Sequence, residues 1–106
     1  MQAEIYHLSE QLGSALLQQG TTVTTAESCT GGGVAHAITA VAGSSSWFNC
    51  GFVTYANSAK QRMLGVPSDI IERDGAVSEA VVRQMAIGAA EEAGAEEQYG
   101  ALACFG

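Results

Sequence analysis

Apolar residues at helical spacing and runs rich in β-branched residues alternate along the chain, and they predict different kinds of element. Between Ile5 and Leu16 the apolar residues step by three or four positions, which predicts a helix that ends at Gly20. The stretch TTVTTA (21–26) is rich in β-branched residues and predicts a strand. Small apolar residues at helical spacing then predict a short helix over 34–41.

A second strand and a further helix follow a serine-rich segment. The segment GSSS (43–46) predicts a loop, and GFVTYA (51–56) predicts the second strand. Asn57 is a favoured N-cap residue and predicts the start of the helix NSAKQRML. Gly65, followed closely by Pro67, predicts the end of that helix.

Two more serines precede the remaining helical segments. Ser68 predicts a cap for the short segment SDIIER, and Ser78 predicts a cap for EAVVRQMAIGAAEEAG, which ends at Gly94. The acidic cluster EEAGAEE (91–97) predicts a solvated face. The apolar stretch YGALACFG (99–106) predicts a third strand.

Together these elements predict a single domain of the α/β class over residues 1–106. Strands that alternate with helices imply parallel pairing through right-handed crossovers. The chain stops in or just after the third strand with no helix to cover it, so we expect a fold that is incomplete at its C-terminus. An apolar strand left at an edge favours association, so we also expect a homo-oligomer in the form of a dimer.

The composition and the net charge indicate a folded protein and disfavour some kinds of partner. The 106 residues are 47% hydrophobic and 14% charged, which is typical of a folded chain and not of a disordered one. The net charge of −7 disfavours nucleic acid as a partner, although backbone N–H groups can still bind a small phosphorylated ligand. No segment resembles a signal peptide or an apolar run of about 20 residues, so we expect no membrane partner.

The cysteines favour a reducing compartment. Cys29, Cys50 and Cys104 form no CxxC pair, which disfavours a disulfide framework and a zinc ribbon, so we expect a cytoplasmic protein. No set of His, Asp, Glu and Cys has metal-ligand spacing, and neither a metal nor another cofactor is expected. His7 and His36 lie on predicted helices, where we expect them to be surface or packing residues.

The stretch TTAESCTGGG (24–33) joins the first strand to the short helix and concentrates hydroxyl groups and glycines. Ligands of α/β folds bind beyond the carboxyl ends of strands, and glycines let backbone N–H groups approach an anion or a reacting carbonyl. The stretch matches neither GxxxxGK[ST] nor GxGxxG, so the nucleotide fingerprints do not apply. The alternative is purely structural: Ser28 or Thr30 caps the helix.

Lys60 is the only lysine in the chain, and it lies on the first turn of the helix that follows the second strand. The helix dipole and burial would both favour its neutral amine, which could then act as a general base toward a serine nucleophile. A serine of the loop that begins at Gly43 is one such nucleophile. The alternatives are an ordinary surface lysine and an ordinary polar turn.

Tyr55 and Cys29 are two further candidates for the site. Tyr55 could orient a substrate, or it could be a core aromatic residue at a strand end with its hydroxyl in water. Cys29 could be a thiolate nucleophile at a helix start, but no histidine is placed to assist it. We therefore rank Cys29 below Ser45 as the nucleophile.

Four stretches, in one order and at one spacing, resemble a known family. They are TVTTAESCTGG, GSSSWF, GFVTYANSAKQRMLGV, and GAVSEAVV with MAIGA, and they extend over about residues 5–95. They are similar to the C-terminal domain of competence/damage-inducible protein A, CinA, whose stand-alone relatives are nicotinamide-nucleotide amidohydrolases. The resemblance implies a three-layer α/β/α domain with a mostly parallel sheet.

The resemblance also implies an activity and roles for individual residues. The implied enzyme is cytosolic, needs no metal, and hydrolyses nicotinamide mononucleotide to nicotinate mononucleotide and ammonia in pyridine-nucleotide salvage. Ser45 is implied as the nucleophile and Lys60 as the base that activates it. Ser28 and Tyr55 are implied to line the site and to polarise or position the amide. The residues expected to bind the substrate are Glu27, Thr30, Gly31, Gly32, Gly43 and Ser44.

The chain departs from the family pattern after its last apolar stretch. Family members continue with a strand that leads into a GIAGP-like loop and later contribute an active-site arginine, and neither is present in this sequence. The alternative to an active enzyme is therefore a truncated, catalytically inactive module of the same family that binds a nucleotide or another partner.

Overall fold

The computed structural model describes residues 1–93 with their side chains and the backbone of residues 99–104. Helices and strands alternate along most of the chain. The elements are α1 (Ala3–Gln19), β1 (Thr22–Glu27), α2 (Gly33–Thr39), a 3-10 turn (Ser44–Ser46), β2 (Phe48–Val53), α3 (Asn57–Leu64), α4 (Ser68–Asp74), α5 (Glu79–Glu92) and β3 (Tyr99–Cys104).

The three strands form one parallel sheet in the order β2-β1-β3, which confirms the predicted pairing. The last residue of β1, Glu27, is paired with Val53 of β2 and with Cys104 of β3. The carboxyl ends of all three strands therefore meet at one edge of the sheet, which we call the carboxyl edge. The opposite edge, where the strands begin, is the amino edge.

Buried apolar residues form two clusters, one on each face of the sheet. The cluster on the face of α3, α4 and α5 consists of Ala26, Leu64, Val66, Ile71, Val81, Met85 and Ala89. The cluster on the face of α1 and α2 consists of Val23, Ile38, Val41 and Trp47. Helices on both faces of a parallel sheet confirm the three-layer α/β/α fold.

The apolar stripe of α1 is partly buried, and only along its second half. Leu12 and Leu16 pack against the cluster of that face, whereas Ile5 and Leu8 are 41% and 64% exposed. The helix ends at Gly20, as predicted, because this residue adopts the left-handed conformation (φ 66°) that glycine tolerates. In the part of the chain that the structure describes, no helix is both long and apolar enough to cross a membrane.

The second strand begins and ends three residues earlier than the sequence predicts. Phe48 pairs with Val23 at the start of β1, so the strand covers Phe48–Val53 and not 51–56. The chain leaves the sheet after Val53 because it must turn into α3, which begins at Asn57. The predicted loop at 43–46 is in part a 3-10 turn over Ser44–Ser46.

Of the N-caps predicted for α3, α4 and α5, the first two are wrong. Asn57 and Ser68 are the first residues of their helices, the N-cap positions fall on Ala56 and Pro67, and neither cap has a side-chain hydrogen bond. Ala56 and Pro67 have extended backbones and directly precede the helices, and no side chain caps either helix. Ser78 does cap α5, since its Oγ accepts a hydrogen bond from the N–H of Val81 at 3.3 Å. The predicted end of α5 at residue 94 lies outside the described residues.

Candidate active site

The candidate active site lies where β1 and β2 end, at the carboxyl edge of the sheet. In α/β folds this edge is where ligands bind. The turn after β1 carries Ser28, and the segment after β2 leads through Tyr55 into the first turn of α3, where Lys60 lies. Parallel pairing brings these two segments together, although Ser28 and Lys60 are 32 positions apart in sequence.

Lys60 and Ser28 form a buried hydrogen-bonded pair. The Lys60 Nζ lies 3.2 Å from the Ser28 Oγ and 2.9 Å from the backbone carbonyl oxygen of Tyr55. Lys60 is 2% exposed and Ser28 is 5% exposed, so the reading of Lys60 as a surface residue is wrong. The described residues give Lys60 no carboxylate partner. An amine held against a hydroxyl in this way has the geometry of a general base beside a serine nucleophile.

Glu27 organises the turn that carries Ser28. Its carboxylate is fully buried and accepts hydrogen bonds from the N–H of Val34 (2.8 Å), the N–H of Ala35 (3.1 Å) and the hydroxyl of Thr30 (2.8 Å). Burial by itself raises the pKa of the Glu27 carboxyl, but these hydrogen bonds outweigh burial and hold the pKa below its ordinary value of 4.5. Glu27 therefore remains ionised and fixes the start of α2 to the end of β1.

The predicted cap of α2 by Ser28 or Thr30 is wrong. The N-cap residue is Gly32, which adopts a left-handed conformation (φ 99°) and makes no side-chain cap bond. The side chain that bonds the first N–H groups of α2 is that of Glu27, because the left-handed glycines fold the turn back over the strand end. Thr30 contributes by donating a hydrogen bond to the Glu27 carboxylate.

Most N–H groups of this turn donate hydrogen bonds to acceptors within the chain. The N–H groups of Gly31 and Gly33 donate to the carbonyls of Ser28 and Thr30, both at 2.9 Å. Those at the start of α2 donate to Glu27. The turn therefore does not present the expected row of N–H groups to an anion, and a direct substrate contact by Glu27, Thr30 or the glycines stays a prediction.

Tyr55 and Cys29 flank the buried pair at the surface. The Tyr55 side chain is 70% exposed, while its carbonyl holds Lys60, so the reading of Tyr55 as a core aromatic is wrong. Cys29 is exposed and forms no disulfide. His7 and His36 are exposed too, which agrees with their expected surface positions. Among the described residues, no group of three or more His, Cys, Asp and Glu could hold a metal ion.

The serine loop that carries Ser45 lies at the amino edge of the sheet. The 3-10 turn Ser44–Ser46 comes just before β2, whereas Lys60 comes after it. The strand β2, whose six residues span roughly 16 Å at about 3.3 Å per residue, lies between the two positions along the chain. Ser45 is exposed and has no hydrogen bond to Lys60. One copy of the chain does not bring Ser45 and Lys60 together, and the roles of Ser45, Gly43 and Ser44 stay predictions.

Sequence reasoning missed two features of this site. It did not foresee that the Glu27 carboxylate is fully buried and binds the N–H groups at the start of α2. It also left Thr54 unmentioned, although this residue is fully buried next to Tyr55. An acid at the end of a β-branched strand, directly before a glycine turn into a helix, was a usable signal for Glu27. Thr54 had no comparable signal, because threonine is common in strands.

Comparison of the sequence with known protein families shows the family of this chain. The family model described as the CinA C-terminal domain matches residues 5–100. The chain belongs to the CinA C-terminal domain family. The resemblance carried by the four sequence motifs is thereby confirmed.

Two curated relatives share this CinA domain at high identity. The chain is 58% identical to "Nicotinamide-nucleotide amidohydrolase PncC" of Escherichia coli strain K12 over 94 residues, which cover 89% of this chain and 57% of that protein. It is 53% identical to a protein of the same name from Pseudomonas putida over 88 residues, which cover 83% of this chain and 55% of that protein.

A solved structure shares the fold of this CinA domain. The crystal structure of the competence/damage inducible protein CihA from Agrobacterium tumefaciens superimposes with a TM-score of 0.83 and 44% identity. The match covers 86% of this chain and 55% of that chain. The chain thus spans just over half the length of these relatives.

Proposed function

We propose that the chain hydrolyses the carboxamide of nicotinamide mononucleotide, giving nicotinate mononucleotide and ammonia. The observation that carries this proposal is the buried Lys60 amine, 3.2 Å from the Ser28 hydroxyl at the carboxyl edge of the sheet. The names of the relatives from Escherichia coli and Pseudomonas putida supply the substrate class, since both are called nicotinamide-nucleotide amidohydrolases.

The first proposed step forms an acyl-enzyme on Ser28. The neutral Lys60 amine takes the proton of the Ser28 hydroxyl while Oγ attacks the carboxamide carbon. A C–O bond forms, and the carbonyl π electrons move onto the oxygen. The oxyanion then collapses, the C–N bond breaks, and Lys60 returns the proton to the leaving ammonia.

The second proposed step releases the acid. Lys60 takes a proton from a water molecule, and the resulting hydroxide attacks the acyl carbon. The bond from that carbon to the Ser28 Oγ breaks, and Oγ recovers its proton from Lys60. The same amine therefore serves as base and acid in both steps, as in other serine–lysine hydrolases.

The surroundings of Ser28 support a small aromatic substrate. The Tyr55 carbonyl accepts a hydrogen bond from Lys60, and its side chain is 70% exposed, so the ring is available to stack against a pyridine ring that approaches from solvent. Because Glu27 and the turn carbonyls already take up most of the local N–H groups, the turn acts as a rigid wall and not as the main anion site. The partner in this proposal is thus a small nucleotide.

Ser45 is the second candidate for the nucleophile. The family resemblance favours it, but it lies at the amino edge and would have to reach Lys60 from a different copy of the chain or after a large rearrangement. Ser28 needs neither, because its Oγ already contacts the amine. We therefore assign the nucleophilic role to Ser28 in this proposal.

The test is ammonia release from nicotinamide mononucleotide by the purified chain. Nicotinate mononucleotide, which has no amide, is the matched blank, and free nicotinamide tests whether the ribose phosphate is required. Release from nicotinamide mononucleotide alone is expected. Absence of release, together with a ligand-dependent rise in melting temperature, would instead favour the nucleotide-binding module. Absence of both would overturn the proposal.

A further inference from the structure

Thr54 lies between β2 and Tyr55, and its side chain is fully buried. Its Oγ1 has no hydrogen-bond partner among the described residues. A hydroxyl buried without a partner costs free energy, and most buried polar groups in folded proteins are bonded. A group of this kind next to a candidate active site needs an explanation.

The backbone of Thr54 fixes its position beside Ser28. Its N–H donates to the carbonyl oxygen of Glu27 at 2.8 Å. In a parallel pair this bond continues the register by one step beyond Glu27 and Val53, so that Thr54 lies opposite Ser28. The two hydroxyl residues are therefore neighbours across the ends of β1 and β2.

The side chain of Thr54 points to the face of the sheet that carries Lys60. Exposure alternates from 47% at Val53 to 0% at Thr54 and 70% at Tyr55, so the strand pattern continues past the end of β2. Thr54 thus shares a face with Phe52, which packs against the cluster of α3, α4 and α5.

The Lys60 Nζ has two acceptors among the described residues, the Ser28 Oγ and the Tyr55 carbonyl. The neutral amine of the proposed mechanism has two N–H donors and the ammonium has three, so the loss of either acceptor leaves an N–H without a partner in both forms. Ser28 lies opposite Thr54 across the two strand ends, and Tyr55 follows Thr54 in the chain. Lys60 Nζ is therefore bonded to two residues that are direct neighbours of Thr54, whose own hydroxyl has no partner among the described residues.

We propose that Thr54 is a positioning residue, whose hydroxyl becomes the hydrogen-bond partner of Lys60 when the Ser28 Oγ is no longer available. The inference rests on the proposed function, in which the Ser28 Oγ becomes an ester oxygen. An ester oxygen is a weak acceptor, so Lys60 would lose one of its two partners just when it must activate water. Rotation about the Cα–Cβ bond of Thr54 moves its hydroxyl between staggered positions and lets it replace Ser28.

Because Lys60 is the only lysine, the inference can be tested without turnover. A chain labelled with ¹⁵N in lysine gives a single Nζ signal, whose hydrogen exchange with solvent reports how firmly the amine is bonded. Ser28→Ala removes the Oγ, as acylation removes it as an acceptor. Exchange in Ser28→Ala/Thr54→Val should be on the order of 10-fold faster than in Ser28→Ala, because the replacement partner is gone.

The matched control is Thr25→Val in the same Ser28→Ala background. Thr25 is the other fully buried threonine with an unpartnered hydroxyl, but it lies against Gly51 within the sheet. This control should exchange like Ser28→Ala, and Thr54→Ser should keep the slow exchange because it keeps the hydroxyl. If Thr54→Val does not fold, Thr54→Ala replaces it.

Equal exchange rates in Ser28→Ala and Ser28→Ala/Thr54→Val would overturn the role of Thr54. So would an equal acceleration by Thr25→Val, since that result would show a general loosening of the fold. Ammonia release is not measured in this experiment. A failure of the proposed hydrolysis and a failure of this inference are therefore separate results.

Discussion

Two serine-containing turns lie at opposite edges of the same sheet, and their surroundings differ. At the carboxyl edge, Ser28 is 5% exposed, its Oγ is bonded to Lys60, and the turn is fastened by the buried carboxylate of Glu27. At the amino edge, Ser45 is exposed and its hydroxyl makes no hydrogen bond in the described part of the chain. Both turns belong to motifs that resemble the family.

The difference shows why a motif alone does not identify a nucleophile. A serine becomes reactive when a base is held within hydrogen-bond reach, and rigid surroundings lower the cost of reaching the reactive geometry. Ser28 meets both conditions within one copy of the chain. Ser45 has no hydrogen bond to Lys60 in the described part of the chain, and its role as a nucleophile stays a prediction.

Lys60→Met should give the largest effect, because it removes the group that distinguishes the two turns. We expect ammonia release to fall by about 10³-fold or more, as for other lost members of a nucleophile–base pair. The unfolding free energy should change by no more than about 1 kcal/mol, since a buried amine without a carboxylate partner is replaced by an apolar chain of similar length.

Arg62→Met is the matched control for Lys60→Met, because Arg62 is an exposed cation on the same helix. Its ammonia release should stay close to that of the unmodified chain. An equal loss in both variants would show that positive charge on α3, and not the buried amine, is what matters.

Gly88→Ala should disturb the carboxyl-edge site by moving the helix that carries Lys60. A Cβ at buried Gly88 would overlap the backbone carbonyl of Leu64 at the end of α3, and backbone cannot yield as a side chain can. We expect a loss of about 3 kcal/mol in unfolding free energy, measured by denaturant unfolding. Gly33→Ala is the control, since its Cβ would meet nothing within 4 Å. Equal stability of the two variants would contradict this close packing.

Glu27→Gln should have the smallest effect, because it weakens the fastening of the Ser28 turn without removing the side chain. At pH 7 we expect a loss of about 1–3 kcal/mol, since a charged acceptor of backbone N–H groups becomes neutral. Glu79→Gln is the control, because its exposed ion pair with Arg83 should contribute less than about 1 kcal/mol.

The loss of unfolding free energy in Glu27→Gln should become smaller as the pH falls. The pKa of Glu27 is lower in the folded chain than its ordinary value of 4.5, so ionisation stabilises the fold. This contribution is fully present above pH 4.5 and is lost as the pH falls through the folded value. The stability difference between the unmodified chain and Glu27→Gln should therefore shrink in acid. A difference that stays constant from pH 7 to pH 3 would contradict the role of the carboxylate.

Local patterns were enough to predict most elements of the fold. The β-branched run predicted β1, Gly20 predicted the end of α1, and Ser78 predicted the cap of α5, because each depends on neighbours within one or two turns. The predicted caps at Asn57 and Ser68 were wrong, since the preceding residue already occupies the cap position in an extended conformation.

The site was less predictable because its contacts cross the sheet. Ser28 and Lys60 are 32 positions apart, and their contact depends on parallel register and on which edge each turn occupies. The predicted order of elements places the serine loop before the second strand and Lys60 after it, but the order alone does not give the register that brings Ser28 into contact with Lys60. The family resemblance rests on the motifs of both turns, yet it carried no information on the burial of Glu27 or on which serine is bonded to Lys60.

The most direct test of the account compares ammonia release from nicotinamide mononucleotide by Ser28→Ala and Ser45→Ala. Each variant removes one hydroxyl, and melting curves verify that both chains remain folded. The account predicts a loss of about 10³-fold or more in Ser28→Ala and a rate within about 3-fold of the unmodified chain in Ser45→Ala. The reverse result, with activity lost only in Ser45→Ala, would contradict the assignment of the chemistry to the carboxyl edge.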